Sequence, residues 1–287
     1  MCDLLSTFNI QVCYLGDFPL HALVSDRLRR SVNHFFVDFT FLKTLDRKYL
    51  IGGLSEAMKV AMIKDKNFFN FLCSSAAKIC KNNYDVISYV VKKTALLHLH
   101  HIRESGDPFE FGTARPLDFG HWSAHQLEII SNYEVTHGEA VGIGIALDSL
   151  LACKLGLISQ KELKMLFCGL KKMGFSLWHD SIEITSDDGK YLLLKGLDIF
   201  REHLGGQLNI TLPNGIGNKT EINSIDASVI SDCIQELKEY CRLCNQYGAE
   251  LLMSVGPRAP YDTGATVLSP QGVRISYRLR GMEQLLR

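Results

Sequence analysis

Apolar residues recur at spacings of three and four along most of this chain, a pattern that predicts a mainly α protein. The first clear run is Arg47 to Lys64, where Leu50, Leu54, Ala57, Met58, Ala61 and Met62 share helical spacing. Residues 67–81 and 84–102 read as two further helices, the second with Asp85 in its first turn, facing the positive end of the helix dipole. Ser105-Gly106-Asp107-Pro108 marks a turn. Helical periodicity resumes over 118–130 and 137–155. Ser159, with Glu162 three residues on, forms a capping box that opens another helix. At Leu208 the period changes: Leu208, Ile210 and Leu212 alternate onto one face, as in a strand. Asn214-Gly215 supplies a turn, Lys219 to Ile222 a return strand, and Asp226 the cap of a last helix running to about Leu243. Ahead of the helices, Phe36-Val37-Asp38 reads as the end of a short extended segment. Residues 1–35 carry Arg27, Arg29 and Arg30 and show no clear period. The expected organisation is a diverged segment over 1–35, a helical domain with a small β-hairpin over 36–245, and an irregular Gly/Pro-rich tail over 246–287.

Composition narrows the function classes. The 287 residues are 46% hydrophobic and 22% charged, a globular balance, since disorder needs fewer apolar residues and more net charge. Thirty-one basic residues balance thirty-one acidic ones, which leaves no basic field for nucleic acid or an anionic membrane surface. The longest apolar run, Ala140 to Ala152, is broken by Asp148 and falls short of the roughly 20 residues a spanning helix needs. The N-terminus lacks the basic region and clean apolar stretch of a signal peptide. Nine scattered cysteines, an odd count, fit reduced thiols in the cytoplasm. Cys73 and Cys80, seven apart, are expected on one buried helix face. Cys241 and Cys244 form a CxxC without a second half, which reads as two buried thiols.

The chemistry concentrates in Arg115-Pro-Leu-Asp118-Phe-Gly-His121-Trp-Ser-Ala-His125-Gln-Leu-Glu128, followed by His137-Gly138-Glu139-Ala140-Val141. His121 and His125 are four apart, which on a helix puts both imidazoles on one face, about 6 Å apart. His137 opens the next helix, so its ring can point back across the connection. Neutral imidazoles from neighbouring helix starts suit a metal such as zinc, with an anionic oxygen or another histidine as third donor. Glu56 is a candidate, and Lys59, three residues on, could bind an anionic substrate beside the metal. The same spacings also fit simpler readings: an ordinary His-x3-His pair, an exposed helix ion pair at Glu56 and Lys59, and a plain helix start at His137. Trp122 could pack against the site or simply fill the core.

Taken together, Glu56-Ala-Met-Lys59, Gly120-His121-x3-His125 and His137-Gly138-Glu139-Ala140-Val141 resemble the C-terminal domain of 3-dehydroquinate synthase and its sugar phosphate cyclase relatives. Asp38-x-x-Phe41-Leu-x-Thr44-Leu and the closing Gly215-Ile216-Gly217 are similar to that family too. The resemblance covers Phe36 to Leu237, roughly 200 residues. It implies a helical metal-binding fold with Glu56, His121 and His137 as zinc ligands and His125 as an acid/base residue beside them. It implies Lys59 and Arg115 on substrate anions, with Glu110 a polar partner and Asp118 a further substrate-side position. The implied activity is that of a carbon–oxygen lyase: NAD oxidises a substrate hydroxyl, phosphate leaves, the carbonyl is reduced again and the opened ring recloses as a carbocycle. Zinc orients the hydroxyls as a Lewis acid, and NAD is recycled. The implied partners are a phosphorylated sugar or sugar-acid substrate and either a second copy of the chain or a partner supplying NAD.

The sequence departs from that family in places. Only residues 1–35 precede Phe36, too few for two βαβ units, so the NAD-binding domain is expected to be missing and the chain to be shortened. Gly142-Ile-Gly144 lies in a helical pattern and is no dinucleotide fingerprint. The family's lysine before the loop acid falls near His100, in His98-Leu-His100-His101, where a polar helix face is the simpler reading and a changed substrate contact the other. Asp118 replaces an asparagine, and Arg115 is displaced by one residue. Two other readings stay open: a metal-dependent alcohol dehydrogenase relative, against which the phosphate-binding lysine argues, and a non-catalytic metal-binding helical remnant.

Overall fold

A computed structural model of the chain describes residues 12–13, 36–105, 118–203, 208–247, 266–268 and 274–276. Among the described residues there are eight α-helices: α1 (Arg47–Lys64), α2 (Lys66–Cys80), α3 (Tyr84–Ser105), α4 (His121–Ile130), α5 (His137–Lys154), α6 (Gln160–Met173), α7 (Lys195–His203) and α8 (Ala227–Tyr247). Six short strands pair as antiparallel ribbons: β1 (Val12–Cys13) with β2 (Phe36–Val37), β3 (Ile210–Pro213) with β4 (Lys219–Ile222), and β5 (Thr266–Leu268) with β6 (Arg274–Ser276). The fold is therefore mainly α with a small hairpin. None of the described helices is long and apolar enough to cross a membrane.

Helix α5 is the axis of the core. It is apolar on all sides, so it belongs in the interior, and nearly every residue from Gly138 to Cys153 is buried. Helices α1, α4, α6 and α8 pack around it. Two backbone approaches set the spacing. A Cβ on Gly138 would lie 2.3 Å from Gly52 Cα, so α1 and α5 meet at a pair of glycines. A Cβ on Gly144 would lie 2.0 Å from Gly120 O, so the start of α4 rests directly on α5. Helix α6 buries Leu163, Leu166, Phe167, Leu170 and Met173, a single stripe of spacing three and four. Its capping box holds: Ser159 N–H donates to Glu162 Oε2 at 2.8 Å, and Glu162 N–H to Ser159 Oγ at 3.3 Å. The other oxygen of Glu162 accepts from Ile216 N at 3.2 Å, tying the hairpin loop to this cap.

In that hairpin Ile210 faces Ile222 and Pro213 faces Lys219. Strand β3 is buried on both faces, Thr211 included, because α1 and α5 lie against it. Three sequence expectations shift. The helix expected from 118 starts at His121, because Gly120 takes φ +81°, a left-handed conformation outside the helix. The stretch 175–203, where the periodicity predicts no element, holds two 3-10 turns and α7. Cys73 and Cys80 do not share a buried face: Cys80 is exposed and Cys73 half-buried. The buried stripe of α2 runs through Phe68, Phe69, Leu72, Ala76 and Ile79, and both cysteines sit at its edge. Cys241 and Cys244 are buried, as two core thiols.

Candidate metal centre

Three helices deliver the candidate ligands. Glu56 comes from the middle of α1, His121 from the first residue of α4 and His137 from the first residue of α5. One donor atom from each lies within 4.8 Å of the other two. The Glu56–Lys59 pair is not on the surface, as a default i,i+3 pair would be. Glu56 is 4% exposed and Lys59 3%, with Nζ 2.6 Å from Glu56 Oε2. Helix α1 is enclosed by α5, α2 and α3, so both charges lie in the interior. The second carboxylate oxygen, Oε1, is buried with no hydrogen-bond partner. His121 Nε2 stands 3.7 Å from it.

The protonation states of the rings follow from their partners. His121 Nδ1 lies 3.2 Å from Phe119 O, which can only accept, so Nδ1 carries the proton and Nε2 the lone pair. Burial, with Lys59 and His137 nearby, holds His121 well below the usual imidazole range, so the ring is neutral. His137 Nδ1 lies 2.9 Å from Glu128 Oε1, and His125 Nδ1 lies 3.4 Å from the same oxygen. Burial alone would raise Glu128, but its hydrogen bonds from His125 and His137 outweigh that and hold it down at about 2. Glu128 is thus an anion that only accepts, so in the neutral His137 ring the lone pair falls on Nε2. Burial pulls His137 down, and Glu128 more than restores it, leaving it above its usual range. The three rings gather within 5.4–5.6 Å, centroid to centroid.

This set fits a divalent metal. A carboxylate and two imidazoles with Nε2 free are a donor set of catalytic zinc sites that keep a position open. The unpartnered buried Oε1 of Glu56 is an acceptor with nothing else to satisfy it. Glu128 behind His137 is the carboxylate–histidine arrangement that orients a metal-binding ring. His125, Glu128 and His137 also lie close enough to form a second donor triad, with His125 exposed.

Sequence reasoning passed over Glu128. Its signal was a seven-residue step from His121 and a nine-residue step to His137. The run at His98 is not a polar helix face: His98 and His101 are buried, while Leu99 and His100 are exposed. Helix α3 turns that side towards α1, where Lys64 Nζ meets His101 Nδ1 at 2.9 Å. Burial, with Lys59 nearby, pushes His98 down to about 3, so a neutral imidazole stands close to the Glu56–Lys59 pair. Trp122 is buried in the core. Asp118 sits half-buried just ahead of α4, while Glu110 and Arg115 lie outside the described residues.

Comparison with known proteins places the class. Residues 53–192 belong to the family described as 3-dehydroquinate synthase C-terminal. It is 30% identical over 204 residues to the 3-dehydroquinate synthase of Campylobacter fetus subsp. fetus, covering 71% of this chain and 56% of that protein. It is 29% identical over 191 residues to that of Caldanaerobacter subterraneus subsp. tengcongensis, covering 66% and 51%. Among solved structures it is similar to ValA, a 2-epi-5-epi-valiolone synthase from Streptomyces hygroscopicus subsp. jinggangensis with NAD+ and Zn2+ bound. That likeness has TM-score 0.64 and 28% identity and covers 70% of this chain and 54% of ValA. The chain thus spans about half the length of the curated relatives it matches.

Proposed function

We propose that this chain is the metal- and substrate-binding part of a sugar phosphate cyclase of the 3-dehydroquinate synthase type, a carbon–oxygen lyase. The helical unit over 36–245 carries both roles. The observation that carries the reading is the buried Glu56, with one oxygen on Lys59 and the other open towards His121. Glu56, His121 and His137 hold a divalent ion, zinc by likeness to ValA. When bound, that ion polarises substrate oxygens as a Lewis acid.

The remaining work falls to the side chains. Lys59 supplies a buried ammonium that attracts a substrate anion into a site where low dielectric strengthens the contact. Glu128 fixes the rings of His137 and His125 in one tautomer. With Nδ1 of His125 on Glu128, its Nε2 takes or gives a proton at the exposed edge of the site. Arg115, Glu110 and Asp118 are assigned to the substrate through the family motif. NAD belongs to the reading through ValA alone, and no residue of this chain is assigned to it. The lysine beside the metal ligands favours a phosphate-eliminating reaction over hydride transfer alone, since only the former needs a cation for a substrate anion. The odd, scattered cysteine count supports a reducing, cytoplasmic setting.

The test is zinc titration of the full chain by calorimetry, followed by phosphate release from sugar phosphates with NAD present. The reading expects one tight zinc site, and phosphate release only where a partner supplies bound NAD, with that release disappearing in Lys59→Met. Zinc binding without phosphate release from any sugar phosphate would leave a metal-binding module. Absence of zinc binding would overturn the assignment of the three ligands.

A further inference from the structure

Asp148 is the one acidic residue in the apolar run of α5, and it is fully buried. Its carboxylate reaches across to the start of α4. Oδ2 accepts from Gly120 N at 2.8 Å, and Oδ1 accepts from the indole Nε1 of Trp122 at 2.7 Å. Gly120 and Trp122 are the residues on either side of His121. Gly120 can occupy this place because it lacks a side chain: a Cβ there would lie 2.8 Å from Ile145 N, and its φ is +81°. The backbone at His121 is therefore held from α5 at two points, the glycine–glycine approach at Gly144 and the carboxylate of Asp148. Among the described residues, the His121 ring meets the Phe119 carbonyl, 3.2 Å from Nδ1, the facing Glu56, and the rings of His125 and His137 edge-on.

We infer that Asp148 is a positioning residue of the metal centre: through Gly120 and Trp122 it sets where α4 begins and so where His121 Nε2 points relative to Glu56 and His137. Two features argue for this role over general stability. A lone carboxylate in a helix buried on every side is costly, and an apolar residue would pack there without it. Its two acceptors meet donors on both flanks of one candidate ligand. Helix α5 also carries His137 at its first residue, so one rigid element fixes two of the three donors. The inference rests on the metal reading above only for the zinc measurement.

The experiment uses the full chain and the variants Asp148→Asn, Trp122→Phe and their combination. An amide presents one acceptor and one donor, so in Asp148→Asn a donor faces the N–H of either Gly120 or Trp122. Removing the indole N–H relieves that conflict and leaves the amide oxygen for Gly120. At pH 8, where the Asp148 carboxylate is ionised and both its oxygens accept, zinc affinity is expected to fall by about 10-fold or more in Asp148→Asn. It should return to within about 3-fold of Trp122→Phe in the double variant. Leu166→Ala, a core truncation in α6, controls for lost stability and should leave the affinity unchanged. In metal-free protein, Asp148→Asn should shift the His121 ring resonances, and Leu166→Ala should not. Unchanged His121 resonances in Asp148→Asn overturn the inference, whether or not zinc binds. Failure of the parent to bind zinc instead overturns the metal reading and leaves the resonances to decide. If Asp148→Asn does not fold, a double variant about 10-fold weaker than Trp122→Phe overturns the inference.

Discussion

Lys59→Met isolates what the buried ion pair does. It removes an ammonium 2.6 Å from Glu56 Oε2 and keeps an unbranched apolar stem of similar length. Without metal, the Glu56 carboxylate is then left in the interior with no cation. Losing one member of a buried pair costs about 3–5 kcal/mol. The double variant Glu56→Gln/Lys59→Met removes both charges and should recover to within about 1 kcal/mol of the parent. Zinc changes the sum. A divalent cation on Glu56 replaces the charge that Lys59 supplied, so the cost of Lys59→Met should shrink to about 1 kcal/mol in zinc-saturated protein. By linkage, the difference of at least about 2 kcal/mol must appear as zinc binding about 30-fold tighter in Lys59→Met than in the parent. The assay is urea unfolding followed by circular dichroism, with chelator and with saturating zinc, accepted only where the slope m stays constant. An equal cost with and without zinc would refute the placement of the ion on Glu56. No cost in metal-free protein would refute Lys59 as its counter-ion.

Other outcomes follow from the same geometry. Gly144→Ala drives a Cβ to 2.0 Å from Gly120 O; it should cost about 3 kcal/mol in urea unfolding and weaken zinc binding, because His121 moves with Gly120. Glu128→Gln can still accept a hydrogen bond but loses the charge behind His137, so zinc affinity should fall about 10-fold by competition with a chelator; an unchanged affinity would remove Glu128 from the site. Stability should also respond to pH through Asp148. Burial, against the donors of Trp122 and Gly120, holds it up at about 7 from the ordinary 3.8. The folded chain then keeps a proton that the unfolded chain releases, so this contribution is full below pH 4 and lost as pH rises to 7. The loss is about 4 kcal/mol. Urea unfolding between pH 4 and 8 should show the stability of the parent falling relative to Asp148→Asn; parallel curves would contradict it.

Much of this arrangement is written in local patterns. Helix α1 begins and ends where the spacing of Leu50, Leu54, Ala57 and Ala61 places it, because that stripe is core. The cap at Ser159 and the return strand at Lys219 were legible because capping and turn chemistry depend on neighbours in sequence. The gathering of His121, His125 and His137 followed from a four-residue step and a helix start. What escaped depends on contacts between distant segments. An i,i+3 carboxylate–ammonium pair looks the same exposed or enclosed, and only the packing of α5, α2 and α3 around α1 decides for Glu56 and Lys59. Asp148 read as a mere interruption of an apolar run, since its donors lie 28 and 26 residues away. His98 and His101 read as a polar face because composition cannot show that α3 turns them towards α1. Helix α7 was missed because it is short and carries Gly196, a poor helix former kept for close contact: a Cβ there would lie 2.5 Å from Trp122 O.

The central claim is that Glu56, His121 and His137 hold a divalent metal in this chain. Elemental analysis of the purified protein, beside Glu56→Ala, His121→Ala and His137→Ala, tests it most directly. The account predicts about one zinc per parent chain, with each substitution abolishing it while circular dichroism shows the helices intact. A parent chain that remains metal-free after incubation with zinc, or one whose zinc survives all three substitutions, would contradict it.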